Sequence, residues 1–449
     1  MSASFSVAVE PKPKGGTFSL VTTRSAAGSK LAFRFATASN DKTAIVWDSE
    51  TGHKLCVLSG HEGPVTCVLP LRDDSSAECS SIMTASTDMT IRVWELNSRD
   101  SFEGLEEQFC KRVVTEHKGL VNCLVQLNSE LVCSGGEDLC LWNKSGELHH
   151  IFHRQSVFKD ERGPIHSVLK LDNRHFGVVT ASHYHRLSLF DINTSVATET
   201  NHFSLQFVSY LEECGEEPIS CLTSISGNLF ASAAHKGGVV LWSTNSLRPV
   251  KLFNCTAQQP NRSLLTNIAI KQIQAVGERY LFVTVANGFE VYDVIGQEDA
   301  QGRLKPLASH LNAHSCAITY LEFVESRAFL VTAAEDNAVR LWGSPNKPPR
   351  DTADVNTSYK ASIEDFLGID LNPKAKKKPL PIVPMLLGEM NLHPKYVTVT
   401  RYLGKYGLAT AGLDGMMVLW KDGDEERDKR DIQIQRFLTH AGFLSGETA

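Results

Sequence analysis

No run of 18 apolar residues occurs in the 449-residue chain, so no segment reads as a membrane-crossing helix. No two cysteines stand in Cys-x-x-Cys spacing, which removes the commonest zinc and redox motifs. Gly-x-Gly-x-x-Gly, Walker, His-Glu-x-x-His and nucleophile-elbow patterns are all missing, so no familiar nucleotide, metalloprotease or hydrolase site is written locally. Excess positive charge is missing too. With 45 basic against 51 acidic residues the net charge is −6, and a nucleic-acid binder needs a basic stripe to displace counterions. The first sixteen residues, MSASFSVAVEPKPKGG, lack a basic-then-apolar signal pattern. The eleven cysteines are odd in number and scattered, and Cys67, Cys123, Cys140 and Cys221 sit in apolar runs as small hydrophobes. The expectation is a cytoplasmic chain that meets membranes only indirectly.

What is present is a core-forming composition, 42% hydrophobic and 21% charged, arranged in a repeat. FATASNDKTAIVWD, ending at Asp48, is an apolar run, a polar turn and a second apolar run closing on Trp47. Equivalent segments close on Trp94, Trp142, Trp242, Trp342 and Trp420, and weaker ones on Phe190 and Tyr292. The intervals are 47, 48, 48, 52, 50, 50 and 78 residues. A near-constant period made mostly of strand predicts an all-β fold: an eight-bladed WD40 β-propeller with four-stranded antiparallel blades.

The repeat carries a polar constellation. His61, Thr84, Asp88 and Trp94 stand where WD repeats place a hydrogen-bonded tetrad, as do His314, Thr332, Asp336 and Trp342, and His393, Thr410, Asp414 and Trp420. His117, Ser134, Asp138 and Trp142 match with a turn two residues shorter. A buried indole N–H needs an acceptor, and a hydroxyl can accept it while binding His, which in turn binds Asp. The set resembles a catalytic relay, but four copies argue for structure. The first copy keeps Thr37, Asp41 and Trp47 without an upstream His. Phe190, Tyr292 and Lys236 break the pattern in the fourth to sixth copies, which are expected to rely on packing.

Two places are open in the pattern. Either SFSVAVE near the N-terminus or RDIQIQRFLTH near the C-terminus can supply the strand that closes the last blade. The interval of 78 holds a long c–d insertion in blade seven, 343–381, whose Pro- and Lys-rich edges read as extended and solvated. Its centre, Ile363 to Leu371, is apolar and acidic, which fits either a motif that orders on a partner or apolar residues resting on the blade. Deleting 343–381 is expected to leave the fold intact. Lys374, Lys376, Lys377 and Lys378 read as a solvated run. His149 and His153 stand four apart, but in a strand-like segment, and His183 and His185 alternate at a turn; no metal or other cofactor is expected at either. The implied organisation is an N-terminal segment 1–16, a propeller over 17–438 and a tail over 439–449.

Three functions compete: an interaction scaffold, a substrate receptor of a ubiquitin ligase, and a propeller enzyme. Receptors often carry Arg three residues after the blade Trp, where this chain has Glu50, Asn97, Ser145, Asn245, Pro345 and Gly423. No catalytic cluster is visible, and the chain is read as no enzyme.

LVCSGGEDLCLWNKSGEL and LATAGLDGMMVLWKDGDEERDKRDIQIQRFL, with the repeat count and the placed insertion, resemble the WD repeat-containing protein 41 family. The resemblance implies a scaffold in a three-subunit complex with two DENN-domain proteins, itself able to dimerise, acting in autophagy and small-GTPase signalling. It implies docking through the terminal segments, here Phe5, Val7, Val9, Ile432, Ile434 and Phe437. It also implies recruitment to the lysosomal membrane through the blade-seven loop, here Ile363, Phe366, Leu367, Ile369 and Leu371, by a cationic amino-acid transporter.

Overall fold

The opening motif folds as the repeat demands. Strands β3 (Lys30–Ser39) and β4 (Ala44–Asp48) pair antiparallel with Phe35 opposite Trp47 and Thr37 opposite Ile45. The reversal is held by Asp41, whose carboxylate accepts from the Thr43 amide at 3.0 Å and hydroxyl at 2.7 Å, while Lys42 takes the left-handed conformation at φ 73°. The same motif recurs through the computed structural model, which describes residues 5–9, 17–27, 30–73, 76–96, 110–154, 164–171, 177–182, 187–197, 200–211, 219–255, 270–296, 304–346, 359–371 and 381–422.

Seven antiparallel blades are built from four consecutive strands each. They run from β2 (Thr17–Ala27) to β5 (Lys54–Leu58), β6 (Val65–Asp73) to β9 (Cys110–Val114), and β10 (Cys123–Gln126) to β13 (Leu148–Phe152). They continue from β14 (Ile165–Lys170) to β17 (Thr200–Leu211), β18 (Ile219–Ser226) to β21 (Pro249–Asn254), β22 (Ile273–Val276) to β25 (Pro306–His310), and β26 (Ile318–Val324) to β29 (Met385–Met390). The remaining strands β30 (Val397–Tyr402), β31 (Leu408–Gly412) and β32 (Met417–Asp422) form a sheet whose outer strand is β1 (Phe5–Val9), in the order β1-β32-β31-β30. The first strands of neighbouring sheets adjoin in sequence, and β30 adjoins β2.

The expectation of an eight-bladed propeller is thereby corrected. Seven blades are complete in themselves, and the last repeat supplies three strands to a composite sheet finished from the other end of the chain. An unpaired β32 would leave a row of unused amides and carbonyls, and pairing it with β1 turns that edge into a seam. The register is Phe5 opposite Asp422, Val7 opposite Trp420 and Val9 opposite Val418.

The apolar cores lie between blades. Trp94 of blade two packs in one cluster with Ala36, Val46 and Leu58 of blade one, and Trp142 of blade three with Met83, Val93 and Val114 of blade two. Each blade is thus buried by its neighbour, so the circle is stable only as a circle.

Of the two sequence readings of the insertion's centre, the structure shows apolar residues resting on the blades, carried by a helix, α1 (Tyr359–Leu367). Ile363, Phe366 and Leu367 fall at i, i+3 and i+4, one face of a helix, and are 0, 0 and 4% exposed. They pack between blades six and seven, where the Phe366 ring meets Phe282 edge-on at 5.8 Å and Phe323 at 5.5 Å. Ile369 and Leu371 pack against the same cluster, and the Leu371 amide donates to Glu364 Oε1 at 3.0 Å. Gly277, at φ 58°, lies under Tyr359, whose ring would sit 2.6 Å from any added Cβ. Beyond the helix, Ile382 exchanges hydrogen bonds of 2.9 Å with Leu307 and Ser309, capping the edge of β25.

Burying side chains such as these stabilises by roughly 1.5–3 kcal/mol each, so the expectation that 343–381 is dispensable for folding is also corrected. Phe366→Ala is expected to lower unfolding free energy by about 3–5 kcal/mol in urea titration. A loss below about 1 kcal/mol would mean that the helix is only laid on the surface.

Candidate functional site

The candidate catalytic-looking groups are the tetrads. In blade two the Trp94 indole donates to Thr84 Oγ1 at 2.9 Å, His61 Nε2 meets the same hydroxyl at 2.8 Å, and His61 Nδ1 meets Asp88 Oδ2 at 2.8 Å. Blade seven repeats this, with Trp342 to Thr332 at 2.8 Å, His314 to Thr332 at 2.7 Å and His314 to Asp336 at 3.0 Å. The composite sheet does so again through Trp420, Thr410, His393 and Asp414, each link 2.8 Å. Burial pulls His61 and His314 below their ordinary pKa despite the adjoining carboxylates. Burial would push the Asp88 carboxyl up, but hydrogen bonds from the Thr90 hydroxyl and amide, the Glu62 amide and His61 overcome it and hold it at about 2. Every hydroxyl is engaged by an indole and an imidazole at once, and His61, Thr84, His314, Thr332, His393 and Thr410 are all buried. A nucleophile placed this way cannot meet a substrate, so the arrangement locks strands and turns together.

Blade three is different in a way its sequence did not disclose. Trp142 and His117 still meet Ser134, both at 2.7 Å. Asp138, however, accepts from His153 Nδ1 at 2.9 Å and the Arg154 amide at 3.1 Å, and His117 Nδ1 faces Cys140 Sγ at 3.8 Å. The expected His117–Asp138 link is therefore corrected. The shortened turn brings Gly136 against the ring, where an added Cβ would lie 3.2 Å from His117 Nδ1 and 2.7 Å from the Leu120 carbonyl oxygen. Burial, opposed by Asp138 and Glu116 only through space, pulls the His117 pKa down to about 4.

The degenerate blades find other partners. Trp47 donates to Thr37 and Trp242 to Ser232, each at 2.9 Å, without a histidine. In blade six the Tyr292 hydroxyl donates to buried Glu290 at 2.6 Å, and the Ser309 hydroxyl reaches the same carboxylate at 3.3 Å. Phe190 has no polar group and packs edge-on to Phe152 at 4.9 Å and Phe207 at 5.7 Å.

A second polar device joins blades through their first strands. Gln272 and Gln274 of the sixth blade's segment accept from the amides of Leu321 and Phe323 in β26, at 2.8 and 2.7 Å. Glu322 of β26 continues the series by accepting from the Tyr402 amide in β30 at 3.0 Å, with the Arg401 guanidinium 3.7 Å away. Burial pushes the Glu322 carboxyl up to about 7 from an ordinary 4.5, although Arg401 and the Tyr402 amide pull the other way.

Two predictions follow from these contacts. Thr84→Ala strands the Trp94 indole and the His61 imidazole, and is expected to cost about 2–3 kcal/mol in urea titration, whereas Thr84→Ser stays within about 1. For Glu322, the folded chain holds the proton more tightly than the unfolded one. Its contribution to stability is full below about pH 4.5 and is lost as pH rises through about 7. Glu322→Gln keeps an acceptor for the amide without the charge. It is expected to stabilise by up to about 3 kcal/mol at pH 8 and hardly at all at pH 4.5; an equal effect at both values would refute the assignment.

The partner-binding residues read from the sequence are placed unevenly. Phe5, Val7 and Val9 lie on β1, in the seam with β32. Ile432, Ile434 and Phe437 lie outside the described residues, as do Lys374 to Lys378, His183 and His185. Ile363, Phe366 and Leu367 are spent on the core between blades six and seven, and Tyr359 is half-exposed. His149 stacks edge-on against Phe203 at 5.3 Å and His153 is taken by Asp138, so the two do not form a metal pair. Among the described residues no group of three or more His, Cys, Asp or Glu is arranged to hold a metal ion.

A ring of strand-built blades locked by repeated Trp–hydroxyl–His sets defines a WD-repeat β-propeller. The family model for the WDR41 β-propeller matches residues 29–430, and the chain belongs to that family. WD repeat-containing protein 41 of Mus musculus is 25% identical over 435 residues, covering 93% of this chain and 88% of its own. The Homo sapiens protein of that name is 23% identical over 433 residues, covering 92% and 87%. Among solved structures, the computationally designed Ika8 protein superposes with a TM-score of 0.59 at 18% identity, covering 91% of this chain and 97% of its own, a likeness of fold alone.

Proposed function

We propose that this chain is the non-enzymatic scaffold subunit of a complex with two DENN-domain proteins that acts in autophagy and small-GTPase signalling. In this reading it docks partners through its terminal segments and brings the complex to lysosomes through the blade-seven insertion, recognised by a cationic amino-acid transporter. The observation that carries the reading is membership of the WDR41 propeller family across residues 29–430. The seam adds support, since β1 fills the outer place on β32 and closure of that sheet makes no demand on Ile432, Ile434 or Phe437. The docked helix also revises how the insertion works, because Ile363, Phe366 and Leu367 hold it in place and its outward surface does the recognising.

The experiment separates docking from folding. The double variant Ile434→Asp, Phe437→Asp is expected to lose co-purification with the DENN partners while its Tm stays within about 2 °C of the parent. An intact complex from that variant would remove the terminal-docking reading. Tyr359→Ala, at a half-exposed position, is expected to reduce lysosomal recruitment on amino-acid withdrawal, and unchanged recruitment would count against the insertion.

A further inference from the structure

Blades two and seven carry an arginine at one equivalent place, and only one of the two has its counter-ion. In blade seven Arg340, two residues before Trp342 on β28 (Val339–Gly343), stands directly opposite Glu389 of the outer strand β29. Its Nε donates to Glu389 Oε2 at 2.6 Å, and its Nη1 to the Ala313 carbonyl at 2.7 Å and Asp336 Oδ2 at 3.4 Å. In blade two Arg92, two residues before Trp94 on β8 (Ile91–Glu95), stands directly opposite Val113 of the outer strand β9. Both strand pairs slip at the tryptophan, so the two arginines share one register.

A valine thus replaces the carboxylate in blade two. Arg92 Nε is buried without a hydrogen-bond partner, and no carboxylate among the described residues forms an ion pair with its guanidinium. Leaving a buried donor unsatisfied is unfavourable. Asp88 does not fill the vacancy. Its Oδ2 takes His61 Nδ1 and the Glu62 amide, both at 2.8 Å, and its Oδ1 takes the Thr90 amide at 2.8 Å and hydroxyl at 2.7 Å. Those four donors use the four lone-pair sites of a carboxylate. Glu95 and Glu147 are held by Lys111 and Arg112, and the Glu62 residue is exposed. The Arg92 guanidinium lies over Gly60, where an added Cβ would be 2.6 Å from Nη1. Gly60 is exposed, Val113 is 44% exposed, and Arg92 itself is part-buried. The guanidinium is therefore met from the outer side of the blade, and a turn of its last torsions brings Nε to an incoming acceptor.

We propose that Arg92 anchors a glutamate borne by a segment of a partner protein, whose carboxylate takes on blade two the place that Glu389 takes on blade seven. The planar guanidinium receives the carboxylate side-on, through two parallel N–H donors. An apolar residue flanking the glutamate rests on Val113, the cross-strand neighbour of Arg92 on the same face. One acid is matched rather than a run of them, because Lys111 and Arg112 are already neutralised within the chain. Charge matching of this kind selects the partner more than it adds affinity. The surface lies apart from the termini and the insertion, and it does not rest on the function proposed above.

The test uses the full chain labelled with nitrogen-15 at arginine, and the side-chain Nε–H resonance of Arg92 is identified by its loss in Arg92→Gln. Titration with acetyl-Val-Glu-Val-amide is expected to move that resonance with a Kd on the order of 1 mM. Acetyl-Val-Gln-Val-amide is expected to leave it in place, and sodium acetate to act at least about tenfold more weakly than the glutamate peptide. Val113→Glu rebuilds the pair of blade seven inside the chain, so its Arg92 resonance is expected to start shifted and to respond at least about tenfold less. No movement by about 10 mM peptide, or an equal response to the glutamine peptide, overturns the proposal. An equal response to acetate, showing a site for any small anion, overturns it too, as does an undiminished response in Val113→Glu. A response that appears only after Asp100→Asn, Glu103→Gln, Glu106→Gln and Glu107→Gln would give the place to the chain's own acids and overturn it as well.

Discussion

A ring of sheets has one requirement that an open sheet does not: the two ends of the chain must meet and pair. Here that requirement is met by five residues, Phe5–Val9, laid antiparallel along β32. The seven complete blades bury their faces on one another, and the composite sheet lets the first and last of them do the same. Without β1 the ring would end in an open edge next to Trp420, and the interface around Phe35, Trp47, Val399 and Leu419 would lose its support. Closure also decides that Phe5–Val9 is committed to the fold.

Within that constraint the tetrads act as spot fastenings. Each ties a c-strand indole to a b-strand hydroxyl and then, through histidine, to a turn carboxylate, so one buried network fixes strand register and turn geometry together. Where the chain has lost members it substitutes chemistry of the same kind: Tyr292 with Glu290 in blade six, and Asp138 with His153 in blade three. Blade four gives up the polar link altogether and packs Phe190 among aromatic rings. The helix of the insertion belongs with these fastenings. It wedges Phe366 between Phe282 and Phe323, joining blades six and seven where the sixth has no tetrad.

Much of this was legible in the sequence because the signals are local. The period of the blade tryptophans, and the fixed spacing of Thr84, Asp88 and Trp94 or of Thr332, Asp336 and Trp342, reflect hairpins whose partners are ten residues apart or fewer. What escaped is non-local. Nothing near Asp138 says that His153 will displace His117, and nothing in the strand holding Glu322 says that its carboxyl will receive the Tyr402 amide of the next sheet. The choice between two candidate closing strands was open for the same reason. The helix is an exception, since Ile363, Phe366 and Leu367 carry helical spacing that composition alone obscured.

The account rests on β1 as the strand that completes the sheet of β32, and its register makes that directly measurable. Ser6 lies opposite Lys421, so a chain carrying Ser6→Cys and Lys421→Cys should form an intramolecular disulfide under mild oxidation and resist thermal opening once it has formed. Absence of that cross-link, with Lys421→Cys bonding instead to a cysteine introduced at Ile434, would contradict the account.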